Sequence, residues 1–351
     1  MVACSQLRAD AVNLLEFLNT YPTEKAVIDA WITHTYPGGV SCSRCGSKHV
    51  YQRADRFKSF NCRHCGTTFS VTAGTMFHRT RIDLRYWFYA IYKIAYAARK
   101  GISANQIHRE CKISYPSAWG MLKKIREAMA REELPEFGPV TEADETFVGG
   151  KPRRLNSKWV YSTRQETKKI PVLTLYDRQS GLASARVATI SREGKRLSAK
   201  QLAVNILEKV RRDSIVLSDE NPGYQILSRL GYTHLSVPHN RRYVAEDRFT
   251  HVNGCESFHA PIKRSFMGVY HSMSAKYLPL YMAEAQFRWN TRTLEPADRL
   301  AKILVLGGEG RRSPEPEWVQ RREAVEREQA EQRVELERKR RVRGDGQMEL
   351  F

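Results

Sequence analysis

Between His251 and His271 the chain reads HVNGCESFHAPIKRSFMGVYH, with Glu256 seven positions ahead of Lys263. Seven positions are two helical turns, so on a helix these side chains share one face. A carboxylate there can hold a metal ion while the lysine grips a phosphate beside it. Two more acids, Asp144 and Asp219, lie on or just beyond apolar runs that read as strands. Hard Mg2+ or Mn2+ ions take oxygen ligands. Two such ions about 4 Å apart can activate the attacking oxygen and stabilise the leaving oxygen of a phosphodiester. A lone aspartate at a strand end is structural more often than catalytic. The ordered set of Asp144, Asp219, Glu256 and Lys263 is what points to a cage for phosphodiester chemistry.

A second constellation is built from thiols. Cys42 and Cys45 form one CxxC pair, Cys62 and Cys65 another, with sixteen residues between the pairs, and Gly46 and Gly66 follow them. A CxxC-Gly turn aims two thiolates at one point, and two such knuckles make a closed tetrahedral Zn2+ site of the zinc-ribbon kind; an iron–sulfur cluster is the other reading. Seven cysteines in all, an odd count with four gathered in pairs, argue for metal binding in a reducing compartment over disulfides. Lys48, Tyr51, Arg53, Arg56, Phe57, Lys58, Phe60 and Arg63 surround the knuckles. They could touch nucleic acid or be ordinary surface.

A net charge of +20 over 351 residues suits a polyanionic partner. The length allows two or three domains. No apolar run approaches the roughly 20 residues of a membrane span, and the first residues lack the layout of a secretion signal. A cytoplasmic protein, nucleoid-associated when on DNA, with no membrane partner, is expected.

The elements that would position these groups follow in order. Residues 1–36 carry two short helices with Leu14, Phe17, Val27, Ile28 and Trp31 on their apolar faces. The ribbon occupies 37–80. In 81–134 a buried helix stops near Gly101, and SANQIHRECKISYPSAWGMLKKIREAMA reads as helix, turn, helix with Ser103 as N-cap. Read as a helix-turn-helix, it turns Ser114, Tyr115, Ser117 and Lys123 toward a DNA groove; an antiparallel helix pair is the competing account. Pro135, Gly138 and Pro139 mark a linker. The segment 138–300 then reads as three strands, a helix, two strands and helices: an α/β fold of ribonuclease H-like order. Residues 301–351 read as a charged tail.

The segments ADETFVGGK, VLSDENPGY and HVNGCESFHAPIKRSFMGVYHSMSAKYL, with EAQFRWNTR, resemble the three acidic motifs of insertion-sequence transposases of the IS1595 group, also called ISXO2-like. The ribbon and GISANQIHRECKISYPSAW resemble that family's N-terminal half, so the likeness spans roughly 12–295. It implies a DDE recombinase: metal-dependent cutting at terminal inverted repeats, then attack of the freed 3′-hydroxyl on target DNA, by a homo-oligomer on DNA. Asp144, Asp219 and Glu256 would be the Mg2+ or Mn2+ ligands, Lys263 would position a DNA phosphate, and Arg264 beside it would also contact DNA. Asn253 is the reserve third ligand. Glu145 adjoins Asp144, and because strand neighbours face opposite sides only one is expected to reach the metal. Pro261 removes a helical hydrogen bond, so a kink or a new helix start is expected between Glu256 and Lys263. A non-catalytic DNA-binding regulator derived from a transposase is the alternative function.

Overall fold

In the computed structural model, described over residues 13–97, 100–149, 153–155, 158–160, 170–188, 197–237 and 249–308, side-chain oxygens cap the helices of the N-terminal part. Asn13 caps α1 (Leu14–Thr20), Thr23 caps α2 (Glu24–Thr35), and Asp83 caps α3 (Leu84–Tyr92). Ser103 and Ser114 do the same for α4 (Ala104–Cys111) and α5 (Tyr115–Met129). Each accepts a backbone N–H that the first helical turn leaves without a partner. Between α2 and α3 lies a three-stranded antiparallel sheet, β1 (Val50–Gln52), β2 (Ser59–Cys62) and β3 (Thr68–Ser70). Trp31, Phe77, Trp87, Phe88, Leu122 and Ile125 share one core that binds ribbon and helices together.

The α/β part starts at β4 (Val140–Val148), followed by the pair β5 (Arg153–Leu155) and β6 (Lys158–Val160), then β7 (Ile170–Asp177) and β8 (Ala183–Val187). Next come α6 (Ala199–Leu207), β9 (Ile215–Ser218), a 3-10 helix at Pro222–Leu230, and β10 (Thr233–Ser236). Three helices close the described chain: α7 (Asn253–Ser265), α8 (Leu278–Asn290) and α9 (Pro296–Gly308). The main sheet has the order β10-β9-β4-β7-β8. β4, β7 and β8 form an antiparallel meander, and β9 and β10 run parallel to β4. A three-strand meander extended by two parallel strands is the ribonuclease H-like arrangement that the order of elements predicts.

The period of two sorts each strand between two layers. Ala143, Leu173, Leu175 and Val216 pack against Leu202 and Ile206 of α6 and Tyr224 of the 3-10 helix. On the other face, Val148 and Val172 meet Phe258 and Ile262 of α7 and Leu278 and Met282 of α8. α8 also covers the outer edge of β8. The Asn290 amide bonds the N–H and C=O of Ala183 at 2.8 and 3.0 Å, and Gln286 accepts from the Ala185 N–H at 3.1 Å. An exposed strand edge is thereby closed.

Two expectations change. The boundary at residue 300 falls inside α9, whose Leu300, Ile303, Leu304 and Leu306 are buried in the N-terminal core beside the helices of 81–134. That apolar face makes α9 a returning core helix and not the start of a tail; the rest of the charged segment, 309–351, lies outside the described residues. Also, α7 runs through Pro261 with no new helix start, and a π-helical turn, Phe266–Tyr270, extends it. The carbonyl that Pro261 leaves without a donor belongs to Ser257, which is exposed and open to water.

Candidate active site and thiolate cluster

β4 is the central strand of the sheet and β9 its parallel neighbour, with Ala143 opposite Ser218. One residue further along each strand come Asp144 and Asp219, so the register itself sets these two carboxylates side by side. β9 ends there, and the Asp219 carboxylate turns the chain by accepting the Asn221 N–H at 3.0 Å. Carboxylate oxygens of Asp144, Glu145 and Asp219 all lie within 4.8 Å of one another. Both members of the Asp144–Glu145 pair therefore reach the cluster, against the expectation that only one could. Beyond Ser218 no strand among the described residues flanks β4 on that side, so the longer Glu145 side chain can reach the common point from the opposite face. Asn221 Nδ2 donates to Glu145 Oε1 at 2.9 Å. Burial first, then the charge of Asp219, pushes the Glu145 carboxyl up to about 7.

α7 is fixed to this sheet at its first turn. Glu142, on the α7 face of β4 and 1% exposed, accepts the backbone N–H groups of Gly254 and Cys255 at 2.7 and 3.1 Å. A carboxylate at a helix N-terminus meets free donors and the positive end of the dipole. Its other oxygen takes a 2.7 Å bond from Arg178 Nε, and Arg178 also donates to the carbonyls of Phe249 and His251. Gly254 is required by this closeness, since a Cβ there would stand 2.2 Å from the Tyr176 ring. Further along α7, buried His259 holds Thr174 Oγ1 at 2.9 Å through Nε2 and comes within 3.5 Å of Asp144 through Nδ1. Burial, reinforced by Lys263, lowers its pKa to about 3, so the ring is neutral. A neutral ring that presents Nδ1–H to Asp144 accepts the Thr174 hydroxyl at Nε2.

The second cluster lies in the ribbon. Cys42, Cys45, Cys62 and Cys65 are free thiols whose sulfurs lie within 4.8 Å of one another. Cys42 and Cys65 are 3.6 Å apart, as are Cys45 and Cys62. Tetrahedral zinc with bonds of about 2.3 Å sets its sulfurs roughly 3.8 Å apart. The spacing fits that ion and is far too long for a disulfide. Gly46 and Gly66, at φ of 73° and 70°, close the two knuckles by donating to the carbonyls of Cys42 and Cys62.

Residues 137–290 match the family model of the ISXO2-like transposase domain. The α/β part of this chain is thus similar to ISXO2-like transposase domains. A protein of the transposable element ISH50 of Halobacterium salinarum is 26% identical over 287 residues, which is 77% of this chain and 92% of that protein. A transposase-like protein of Haemophilus influenzae is 26% identical over 102 residues, 29% of this chain and 80% of that one. Among solved structures, the Mos1 strand transfer complex aligns at 12% identity and a TM-score of 0.23, over 60% of this chain and 78% of that one. At that level the likeness adds nothing to the strand order, on which the fold argument stands.

Within the α/β part, the structure brings Asp144 and Asp219 together, and the third clustered carboxylate is Glu145, not Glu256. Glu256 is exposed on the first turn of α7 and Asn253 is exposed at its first residue. Lys263 and Arg264 are exposed in the last turn. Ahead of the domain, Ser114 spends its side chain capping α5, Tyr115 is 50% exposed, and Lys123 pairs with Glu127 at 3.0 Å. Ser117 is part-exposed, its N–H donating to Ser114. His259 and Glu142 did not figure in the sequence reading. His259 had a signal, since it stands three positions after Glu256 and four before Lys263, on their helix face. Glu142 had none, because nothing in TEADET distinguishes the glutamate that a later helix will cover.

Proposed function

We propose that the chain is a DNA transposase that binds terminal inverted repeats and carries out metal-dependent strand cleavage and strand transfer. The observation that carries this reading is the convergence of Asp144 and Asp219 from neighbouring parallel strands of a ribonuclease H-like sheet. An all-oxygen donor set with a third acid pressed into it fits Mg2+ or Mn2+. Such ions, when bound, supply activation of the attacking oxygen and stabilisation of the leaving one. Asp144 and Asp219 would hold them from the sheet, and Glu256 would complete the set from α7. Supporting Glu256 is the succession of Glu256, His259 and Lys263 at helical spacing, with His259 against Asp144. His259 keeps the Asp144 carboxylate oriented, as an outer partner of a ligand does. Lys263 and Arg264 grip DNA phosphates. Ser114, Tyr115, Ser117 and Lys123 face the element's ends, the thiolates hold a structural zinc, and the +20 charge gives salt-dependent affinity. Two DNA ends call for at least two copies of the chain.

Incubation of the full chain with labelled inverted-repeat duplex and Mg2+ tests this. Nicking at the repeat boundary is expected, falling by about 10³-fold in Asp144→Ala and Asp219→Ala. Glu256→Ala should lose more activity than Glu145→Ala or Asn253→Ala; the reverse order would move the third ligand. Wild-type protein that never nicks, or nicking that survives both aspartate changes, ends the catalytic reading.

A further inference from the structure

A cleft of about 700 Å³ opens between the first turns of α4 and α5 on one side and the segment from the π-helical turn to the start of α8 on the other. Sites for small planar ligands occupy roughly 300–1,000 Å³. Its walls are aromatic: Tyr115 is half exposed, and Trp119 meets Tyr277 edge to face at 4.8 Å. Asn105 and Arg109, one turn apart on α4, are exposed on its rim with no hydrogen-bond partner among the described residues. Arg126 forms part of the floor, 4% exposed, fixed by a 2.7 Å bond from Nε to Glu284 of α8. Its guanidinium lies over the Tyr281 and Tyr270 rings, 4.4 and 5.3 Å from their centroids. The buried Arg126–Glu284 pair ties α5 to α8, so both walls are held by one anchor.

We propose that this cleft receives one unstacked nucleobase of bound DNA. Stacking on an aromatic face suits any base, an amide such as that of Asn105 can pair with a base edge, and Arg109 supplies a cation for the adjoining phosphate. The cleft also lies where the helix-turn-helix helices meet the extension of α7, the helix that carries Glu256 and Lys263. A base freed near a strand end would be held there between the end-reading and strand-cutting parts. The proposal rests on the transposase reading but concerns a contact that reading does not require.

The test compares two labelled probes with the full-length protein: the fully paired inverted repeat, and the same duplex ending in an unpaired three-thymidine overhang. The overhang should bind more tightly. Tyr277→Ala and Asn105→Ala should each remove that preference, by about tenfold for the tyrosine, while affinity for the paired probe stays within twofold. Tyr277→Phe should keep it. With 5-iododeoxyuridine in the overhang, ultraviolet light should join the DNA to the peptides bearing Trp119 or Tyr277. Asn105 is exposed, so its variant keeps the comparison open if the aromatic change unfolds the protein. An equal preference in wild type and variants, or crosslinks only elsewhere, overturns the cleft proposal and leaves the transposase reading standing. Failure to bind either probe overturns both.

Discussion

The thiolate cluster and the carboxylate cluster are both shaped for cations, yet they are built in opposite ways. The four thiols come from two tight turns within one small sheet, each turn closed by its own glycine. Their 3.6 Å spacings already match a tetrahedral ion. The carboxylates come from two strands separated in the chain by β7, β8 and α6, and a third acid reaches them from the other face of the sheet. Here the local chain decides little; register and the end of β9 decide nearly everything. The cost also differs. Thiolates in a closed site serve folding, whereas three carboxylates within 4.8 Å repel one another until a cation or a proton arrives.

The strongest way to break this contrast is to strip the thiolate cluster of the zinc proposed for it. Structural zinc sites contribute about 10–16 kcal/mol of apparent binding energy, and Val40, Phe60 and Val71 of the ribbon lie in the N-terminal core. Chelation, or Cys62→Ser, should therefore strip hydrogen-exchange protection from β1–β3 and loosen α2 and α3, while amides of β4 and β9 exchange at their former rates. Protection retained throughout the ribbon after chelation would show that the thiols do not serve folding.

The same contrast explains which features the sequence makes legible. Both CxxC knuckles, the cap at Ser103 and the order of strands and helices follow from local spacing or from alternation along strands, and the pairing of Asp144 with Asp219 from the resemblance of their segments to acidic motifs of a known family. What escapes is set by contacts distant in the chain. α9 carries an apolar stripe, but its partners are helices some two hundred residues earlier. Alternation correctly puts Asp144 and Glu145 on opposite faces, yet it says nothing about where the flanking strand stops. A glutamate that anchors a helix more than a hundred residues away, as Glu142 does for α7, looks like any other strand acid.

A change of the second size should come from that anchor. Glu142→Gln keeps the shape but leaves Arg178 without its 2.7 Å carboxylate partner and weakens the hold on two N–H groups of α7. Breaking one side of a buried ion pair costs about 3–5 kcal/mol; partial exposure of Arg178 places the expectation near the lower figure. Denaturant unfolding measures it. The strand cleavage proposed above should fall as well, since Glu256, His259 and Lys263 all ride on α7. A variant with unchanged stability would mean that packing of Phe258 and Ile262 alone places that helix.

The smallest effect sharpens the idea that the carboxylate cluster is frustrated without a cation. Glu145 titrates near 7 in the folded chain and at about 4.3 when unfolded. Between those values the folded state holds a proton that the unfolded state has released. Metal-free stability should then fall as pH rises through this window and level off above it. Glu145→Gln should abolish that fall and stabilise the metal-free protein at pH 8 by on the order of 1–3 kcal/mol. Mg2+ should act in the opposite sense, raising the stability of the wild type more at pH 8 than at pH 6, because only the ionised cluster offers all its oxygens. Unfolding curves across pH, with and without Mg2+, decide the matter. A wild type and a Glu145→Gln variant with parallel pH profiles would mean that the third acid is not confined by its neighbours, and the contrast with the thiolate site would lose its electrostatic half.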